Sequence, residues 1–319
     1  MLTLERRLAR NRLLSDVALG PDGGRAAILP DQSHPFFYDH PLDHVPGLLL
    51  IEAGFQMARA WARHADIAGD ALCGFSVRFR RFCLHGAPIR LVLQSIAEGP
   101  VRTLGVALRQ EGGGAADVTL RLGAPATGGD AVPHLPQALL PDPAPGVRLN
   151  KSDPANIMIG QPVETACGHA ALLLPPAPGN LLGDGHPVWH HPLYLLEGFM
   201  QLLRFRNTER PAGAPRMRDI LAGIDVDLAA PAARDTVATL HCAAGQTAAA
   251  RFLRREGLVL ADGRPAMRVS VLTNRPAVQL APTNPASVPP GWTLPVAGVP
   301  VPAGAIAGFP SPRLQGEPA

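Results

Sequence analysis

A histidine-rich segment leads into an apolar stretch in the first third of the chain. Residues 34–46 contain three histidines and two aspartates, and a Pro-Gly step then opens a run of aliphatic residues. Glu52 lies inside that run, and carboxylates are rarely buried unless they are paired or functional. Histidine titrates near neutral pH, so such a loop beside a buried acid is suited to acid–base chemistry on an apolar substrate.

Within this segment, His40 and Glu52 are the candidate catalytic residues. Asp39 either fixes the tautomer of the His40 imidazole or closes a turn. Asp43 and His44 either contact substrate or brace the loop and cap the helix.

The start of the apolar run is a candidate site for a developing negative charge. Backbone N–H groups near Gly47 and Leu48 would lie in the first turn of a helix, where they have no partner within the helix. They could bind a thioester oxygen as it becomes anionic, and the glycine lets the backbone approach substrate closely.

Three sequence matches share one spacing of 145 residues. Glu197 follows Glu52 at this spacing, and Gln201 follows Gln56. The segments 108–112 and 253–257 also share it. We therefore predict that the chain is a duplication of one fold, with a glutamate and a glutamine one helical turn apart in each copy.

Each copy has a similar predicted order of elements. Apolar spacing predicts helices near Pro46–His64 and Leu193–Phe205, and alternation predicts the surrounding strands. The strands are predicted near residues 16–19, 25–29, 72–83, 89–97, 101–110 and 116–122 in the first copy, and near 155–160, 170–174, 217–228, 236–242, 247–255 and 266–272 in the second.

A long helix followed by a run of antiparallel strands indicates a sheet wrapped round a central helix, the hotdog architecture. The predicted fold class is α+β, a double hotdog. We place the first repeat at 1–122, a Gly- and Pro-rich linker at 123–147, the second repeat at 148–275 and a Pro-rich, extended or disordered tail at 276–319.

The block from His40 to Ala53, followed by Gln56, resembles the A-factor (γ-butyrolactone) biosynthesis hotdog family. The opening of the second copy, residues 150–156, also fits. This resemblance implies transfer of a β-ketoacyl chain from an acyl carrier protein, or CoA, to dihydroxyacetone phosphate. A more distant resemblance to hydroxyacyl-carrier-protein dehydratases implies catalytic roles for His40 and Glu52.

In paired hotdogs of this kind, the histidine of one copy faces the acid of the other. We therefore expect His40 opposite Glu197, and His190 or His191 opposite Glu52. Desolvation would raise the pKa of either glutamate, which could then act as an acid. Gln56 and Gln201 either hold the glutamates or satisfy backbone groups.

Three reaction classes remain open at this stage. The first is acyl transfer, the second is dehydration or hydrolysis of an acyl thioester, and the third is thioester binding without catalysis. The second copy lacks the Asp-His-Val-Pro-Gly step, so two equivalent sites are not expected.

Basic residues on the predicted strand 72–83 suggest a carrier-protein or phosphate contact, or else a solvated face. These residues are Arg78, Arg80 and Arg81. The net charge of +3 and the 5% aromatic content argue against nucleic acid.

The cysteine spacing and the motifs searched for in the sequence favour a protein without a metal or nucleotide cofactor. The four cysteines form no CxxC pair, and no metal-ligand spacing or nucleotide fingerprint is present. No apolar run has the length of a membrane span. We expect a cytoplasmic monomer or homodimer without metal or cofactor.

Overall fold

The computed structural model describes residues 8–67, 71–124, 139–184, 188–208, 220–244, 247–249 and 252–274. The predicted tail from 276 onward lies outside these ranges, as does most of the predicted linker. Of that linker, the described part includes the start of a short helix, α2 (Gly146–Leu149). The domain boundaries given above stay predictions.

The first repeat surrounds one helix with six strands. The helix α1 (Gly47–His64) buries Phe55 and Trp61 and packs against β1, β2, β4, β5 and β6 of this repeat. Those strands are β1 (Ser15–Gly20), β2 (Gly23–Ile28), β3 (Leu72–Phe79), β4 (Ile89–Ala97), β5 (Val101–Gln110) and β6 (Gly113–Gly123).

The second repeat has the same order of elements, with one additional short strand. Its helix, α3 (Pro192–Asn207), packs against β8, β10 and β12. Its strands are β7 (Val163–Thr165), β8 (Gly168–Leu172), β9 (Ile220–Leu228), β10 (Ala238–Ala243), β11 (Thr247–Ala249), β12 (Phe252–Ala261) and β13 (Arg264–Asn274). The double-hotdog prediction is therefore confirmed.

One continuous antiparallel sheet joins the repeats through β3 and β9. Their register is symmetric about the pair Ser76–Asp225, with Gly74 opposite Asp227 on one side and Gly223 opposite Arg78 on the other. Each glycine therefore lies opposite a charged residue of the other repeat. A pseudo-twofold axis that relates the two repeats thus passes through the middle of the sheet.

One of the three sequence matches used to detect the duplication is wrong. Glu111 and Gly112 form the turn between β5 and β6, where both have positive φ. The equivalent turn between β12 and β13 is Asp262-Gly263, also with positive φ, and not Glu256-Gly257, which lies inside β12. The spacing between the repeats has thus grown beyond 145 after the helices.

The strand predicted at 155–160 is wrong over its first part, and only Ile159 and Gly160 at its end form single bridges to neighbouring segments. The Asp153 carboxylate accepts the Ala155 N–H at 2.9 Å and starts a 3-10 turn at Pro154–Asn156. Proline at a first helical position favours such a turn, since its φ is already fixed. The first strand of the second repeat begins at Val163 instead.

Candidate active site

A glutamine on each central helix holds the entry segment of its own repeat. The amide of Gln56 accepts the Leu13 N–H at 2.9 Å and donates to Asn11 O at 2.8 Å. It also donates to Glu52 Oε1 at 2.7 Å. The two alternatives considered for this residue are thus both realised in one side chain.

Gln201 makes the same three bonds in the second repeat. It accepts the Met158 N–H at 2.9 Å and donates to Asn156 O at 2.8 Å and to Glu197 Oε1 at 3.3 Å. Each partner stands 145 positions after its counterpart in the first repeat. This glutamine clamp is therefore common scaffold rather than a difference in chemistry.

Aspartates join the repeats by reciprocal bonds. The Asp39 carboxylate accepts the N–H of Asp153 at 2.7 Å and of Ser152 at 3.3 Å. Asp184, the equivalent of Asp39, accepts the Leu8 N–H at 2.9 Å. Asp39 therefore fixes its loop, and with it His40, against the start of the second repeat.

Glu197 lies at the centre of a charged cluster. Its Oε1 atom is 2.9 Å from Arg204 Nη1 and 3.1 Å from Lys151 Nζ. The side chain of Glu197 is 4% exposed and that of Lys151 is 7% exposed. Two cations thus share one buried carboxylate.

These cations keep Glu197 ionised. Burial alone would raise the pKa of its carboxyl, but the charges of Arg204 and Lys151 outweigh burial and lower the pKa to about 2. The expectation that this acid carries a raised pKa, and could donate a proton, is wrong for Glu197.

His40 is electrostatically coupled to the same cluster. Burial lowers its pKa, Lys151 and Arg204 lower it further, and Asp39 and Glu197 oppose the shift. No described residue hydrogen-bonds its buried Nδ1 atom. We call His40, Lys151, Glu197 and Arg204 the His40 site, in which a neutral imidazole lies among fixed charges.

A second cluster, the His191 site, consists of His191 and Glu52. Nδ1 of His191 accepts the Leu193 N–H at 3.2 Å and caps α3. Its Nε2 atom is 3.8 Å from Oε2 of the fully buried Glu52. Across the repeats, it is thus His191 that the structure brings to Glu52.

The helix starts at the two sites differ. Leu49 donates its N–H to Pro46 O, but among the described residues nothing accepts the N–H groups of Gly47 and Leu48. At the start of α3, Pro192 has no N–H and the N–H of Leu193 is taken by His191. Only the α1 start offers donors to a bound oxygen.

His190 points to a different place. Its ring stacks on Tyr194, with centroids 5.3 Å apart, and it lines an apolar cleft with Leu72, Leu195 and Leu228. Burial, with help from Arg234, lowers the pKa of His190 to about 4. The structure does not bring it to Glu52.

The other predicted contact residues pack locally. Asp43 bonds His44 at 2.6 Å, and neither side chain caps α1, whose N-cap is Pro46. The ring of Phe79 lies 3.0 Å from the position a Cβ atom would take on Gly47, so this glycine permits close packing at the helix start.

The three arginines near the end of β3 are bonded within the sheet. Arg78 donates to Asp225 at 3.2 Å, across the junction of the repeats. Arg80 donates to Asp117 at 2.6 Å, and Arg81 donates to Gly113 O at 3.0 Å.

Within the described ranges, no three His, Cys, Asp or Glu residues are grouped to hold a metal ion. None of the helices found there is both long and apolar enough to cross a membrane.

Two members of the His40 site, Lys151 and Arg204, were not predicted from the sequence. Arg204 follows Arg59 at the same spacing of 145 that links the glutamates, and this spacing is a signal in the sequence. Lys151 is the only lysine among 29 basic residues, and this singularity was visible in the composition.

Comparison with known proteins agrees with the architecture. A bifunctional dehydratase-cyclase domain from ambruticin biosynthesis is 18% identical, with a TM-score of 0.53 over 85% of this chain and 96% of that chain. An acyl-CoA thioesterase II from Mycobacterium marinum is 13% identical, with a TM-score of 0.53 over 84% and 98%. The 12:0-ACP thioesterase from Umbellularia californica is 12% identical, with a TM-score of 0.53 over 79% and 94%. At these identities the likeness concerns the fold.

Sequence comparison is more specific over shorter stretches. A 2-oxo-3-(phosphooxy)propyl 3-oxoalkanoate synthase from Streptomyces virginiae is 53% identical over 30 residues, which are 9% of this chain and 10% of that relative. Residues 5–122 match the family model of the A-factor biosynthesis hotdog domain, which confirms the predicted resemblance. The first repeat of the chain is therefore similar to this hotdog domain over nearly its whole length.

Proposed function

We propose that the protein transfers a β-ketoacyl chain from an acyl carrier protein or CoA thioester to the hydroxyl of dihydroxyacetone phosphate. The observation that carries this proposal is the His40 site. A buried imidazole nitrogen that no described residue hydrogen-bonds lies in the field of two cations, Lys151 and Arg204, and of the carboxylates of Asp39 and Glu197. Such a site suits a base acting on an anionic acceptor.

The cluster has one positive charge left over when His40 is neutral. Lys151 and Arg204 carry two charges, and ionised Glu197 cancels one of them. Asp39, which also acts on His40, adds one negative charge beside the cluster, so the case for an anionic acceptor rests on the two cations themselves rather than on the net charge.

The reaction follows from these positions. His40 takes the proton of the acceptor hydroxyl, and the oxygen attacks the thioester carbonyl carbon. The N–H groups of Gly47 and Leu48, at the start of the helix that follows His40, would bind the carbonyl oxygen as it becomes anionic. The C–S bond then breaks, and the protonated His40 returns its proton to the departing thiolate.

The name of the Streptomyces virginiae relative supports this choice. A 2-oxo-3-(phosphooxy)propyl 3-oxoalkanoate is the ester of a 3-oxo acid with the hydroxyl of dihydroxyacetone phosphate. The short match carries no more than this hint about the acceptor.

Dehydration is a weaker candidate at the His40 site. Loss of water requires protonation of the leaving hydroxyl, and dehydratase-like hotdogs would use the acid of the central helix together with histidine. Glu197, held ionised by two cations, is a poor proton donor at neutral pH.

The test is thiol release from a β-ketoacyl thioester by the full chain, followed with a thiol reagent and with mass spectrometry of the ester. Transfer predicts thiol release that requires dihydroxyacetone phosphate and is lost in His40→Ala. His64→Ala, which changes an exposed histidine at the end of α1, is the control for histidine removal.

The other outcomes select the alternatives. Thiol release that ignores the acceptor indicates a thioesterase, and water loss from a 3-hydroxyacyl thioester indicates a dehydratase. Thioester binding without any turnover, unchanged in His40→Ala, indicates a binding module.

A further inference from the structure

Lys151 is the only lysine in a chain that otherwise uses arginine for every basic residue. A composition that favours arginine so completely makes one retained lysine unusual. Lysine differs from arginine by carrying a compact point charge with three donors, which can serve several acceptors at once.

The position of Lys151 is built rather than incidental. Its side chain is 7% exposed, with Nζ 3.1 Å from Glu197 Oε1 and 5.5 Å from the centre of the Phe36 ring. The backbone on either side is fixed, because Lys151 N–H donates to Gly146 O and the next two N–H groups donate to Asp39.

The ammonium group has donors to spare. Among the described residues, Glu197 is its one ion-pair partner, and an ammonium group has three N–H bonds. Arg204 approaches the same carboxylate oxygen from the solvent side, where its side chain is 38% exposed. A small anion entering past Arg204 would meet both cations.

We propose that Lys151 and Arg204 bind the phosphate of the acceptor, and that Lys151 thereby decides which acceptor is used. The inference rests on the proposed acyl transfer, since it assigns the acceptor end of that site. Glu197 acts as the positioning residue that holds the two cations together, and Asp39 positions the backbone of Lys151.

The single lysine permits a test that does not depend on turnover. An amine-reactive acetylating reagent is applied to the full chain, and acetylation of Lys151 is followed by peptide mass spectrometry. Dihydroxyacetone phosphate at ten times its Kd should slow acetylation about tenfold, because about a tenth of the sites remain free. Inorganic phosphate should protect at higher concentration.

Two further arms identify the group that is recognised. Dihydroxyacetone lacks the phosphate and should give no protection. CoA tests whether the phosphates of the thioester carrier are bound instead, and protection by CoA alone would overturn the assignment. Equal protection by the triose and its phosphate, or none by either, would also overturn it.

Variants give an independent measurement by calorimetry. Lys151→Met should weaken binding of dihydroxyacetone phosphate by about tenfold or more, the loss expected for a charge-assisted bond. Lys151→Arg keeps the charge but not the compact shape of the ammonium group, so it should weaken binding less than Lys151→Met does, while thioester affinity should be unchanged in both. Equal weakening of both ligands would indicate a structural role. A protein that binds the phosphate as expected but transfers no acyl group would instead refute the proposed function.

Discussion

The His40 site and the His191 site occupy related positions in the two repeats, but their chemistry differs. At the His40 site, the acid is bonded to two cations, and no described residue bonds the buried Nδ1 atom of the histidine. At the His191 site, the histidine caps its own helix and faces Glu52. The first turn of α3 offers no unbonded N–H group there, because Pro192 has none and that of Leu193 bonds His191. The repeats thus keep one scaffold but differ in the groups that surround each histidine.

The difference shows what duplication leaves free to change. The glutamine clamp and the reciprocal aspartate bonds hold segments of the backbone together, so both copies keep them. The helix starts do not join segments of the backbone in this way. In the second repeat, a proline without an N–H and a histidine that accepts the next N–H leave the start of α3 without unbonded donors. We therefore expect the His40 site to be the productive one.

The largest expected effect is loss of the base at one site only. His40→Ala should lower the rate of acyl transfer by about 10²–10⁴-fold, the usual contribution of general base catalysis. His191→Asn keeps a side chain able to cap α3 and should change the rate by less than about threefold. The measurement is kcat/KM for thiol release with both substrates. Comparable losses in the two variants would contradict the expectation that the His40 site is the productive one.

Removal of the shared carboxylate should have the next largest effect. Glu197→Gln leaves Lys151 and Arg204 without their counter-charge, and breaking a buried pair in this way costs about 3–5 kcal/mol of unfolding free energy. Urea unfolding at neutral pH measures this cost. Glu52→Gln is the matched change at the equivalent position, and it controls for the loss of a glutamate–glutamine bond.

The stability difference between the wild type and Glu197→Gln should also depend on pH. The pKa of Glu197 is lowered to about 2 from an ordinary value of 4.5, so its stabilising contribution is complete above pH 4.5 and is lost as the pH falls towards 2. The wild type should therefore lose more stability over this range than Glu197→Gln. Parallel curves would show that the charge cluster does not stabilise the native state.

How far the site could be predicted from the sequence depended on the kind of feature. The duplication and the pairing of helix glutamates with glutamines follow from spacing, because a helix places residues four apart on one face. Lys151 lies on an irregular segment whose position depends on bonds from Asp39, and such long-range contacts leave no periodic pattern. The direction of the Glu197 pKa shift could not be foreseen for the same reason.

Sequence periodicity also fails where turns and insertions decide the outcome. The strands at 89–97 and 101–110 match their predicted bounds, because alternating burial is a strong signal. The match between segments 108–112 and 253–257 pairs positions that are not equivalent, because the connection after α3 is longer than the one after α1. A turn with positive φ at Asp262-Gly263 was the better landmark.

An intermediate effect should come from His190, which tests whether its cleft is separate from both sites. Its pKa is lowered to about 4 from an ordinary value of 6.5. Between these two pH values the unfolded chain is protonated at this histidine and the native protein is not. This group therefore removes up to about 3 kcal/mol of stability as the pH falls through that range. His190→Val, which places there the residue type found at Val45 in the first repeat, should flatten this part of the curve. His64→Ala is the control.

A smaller effect is expected at the α3 cap. His191→Ala removes the acceptor of the Leu193 N–H and should cost about 1 kcal/mol, which His191→Asn should largely restore. Chemical denaturation of the three proteins measures the difference. If Asn fails to restore stability, then His191 stabilises the protein through Glu52 rather than through the helix start.

The smallest effect is expected on the outer face of the sheet, away from both sites. The Arg80 side chain is 63% exposed and bonds Asp117, so Arg80→Ala should cost less than about 1 kcal/mol, as exposed ion pairs do. Turnover with a CoA thioester should be unchanged, because the guanidinium is bonded within its own sheet.

Turnover with a carrier-protein thioester separates the two interpretations of this surface. A KM that rises only for the carrier protein, and less at high salt, would show that the arginine attracts an acidic partner. An unchanged KM would leave it as part of a solvated strand face.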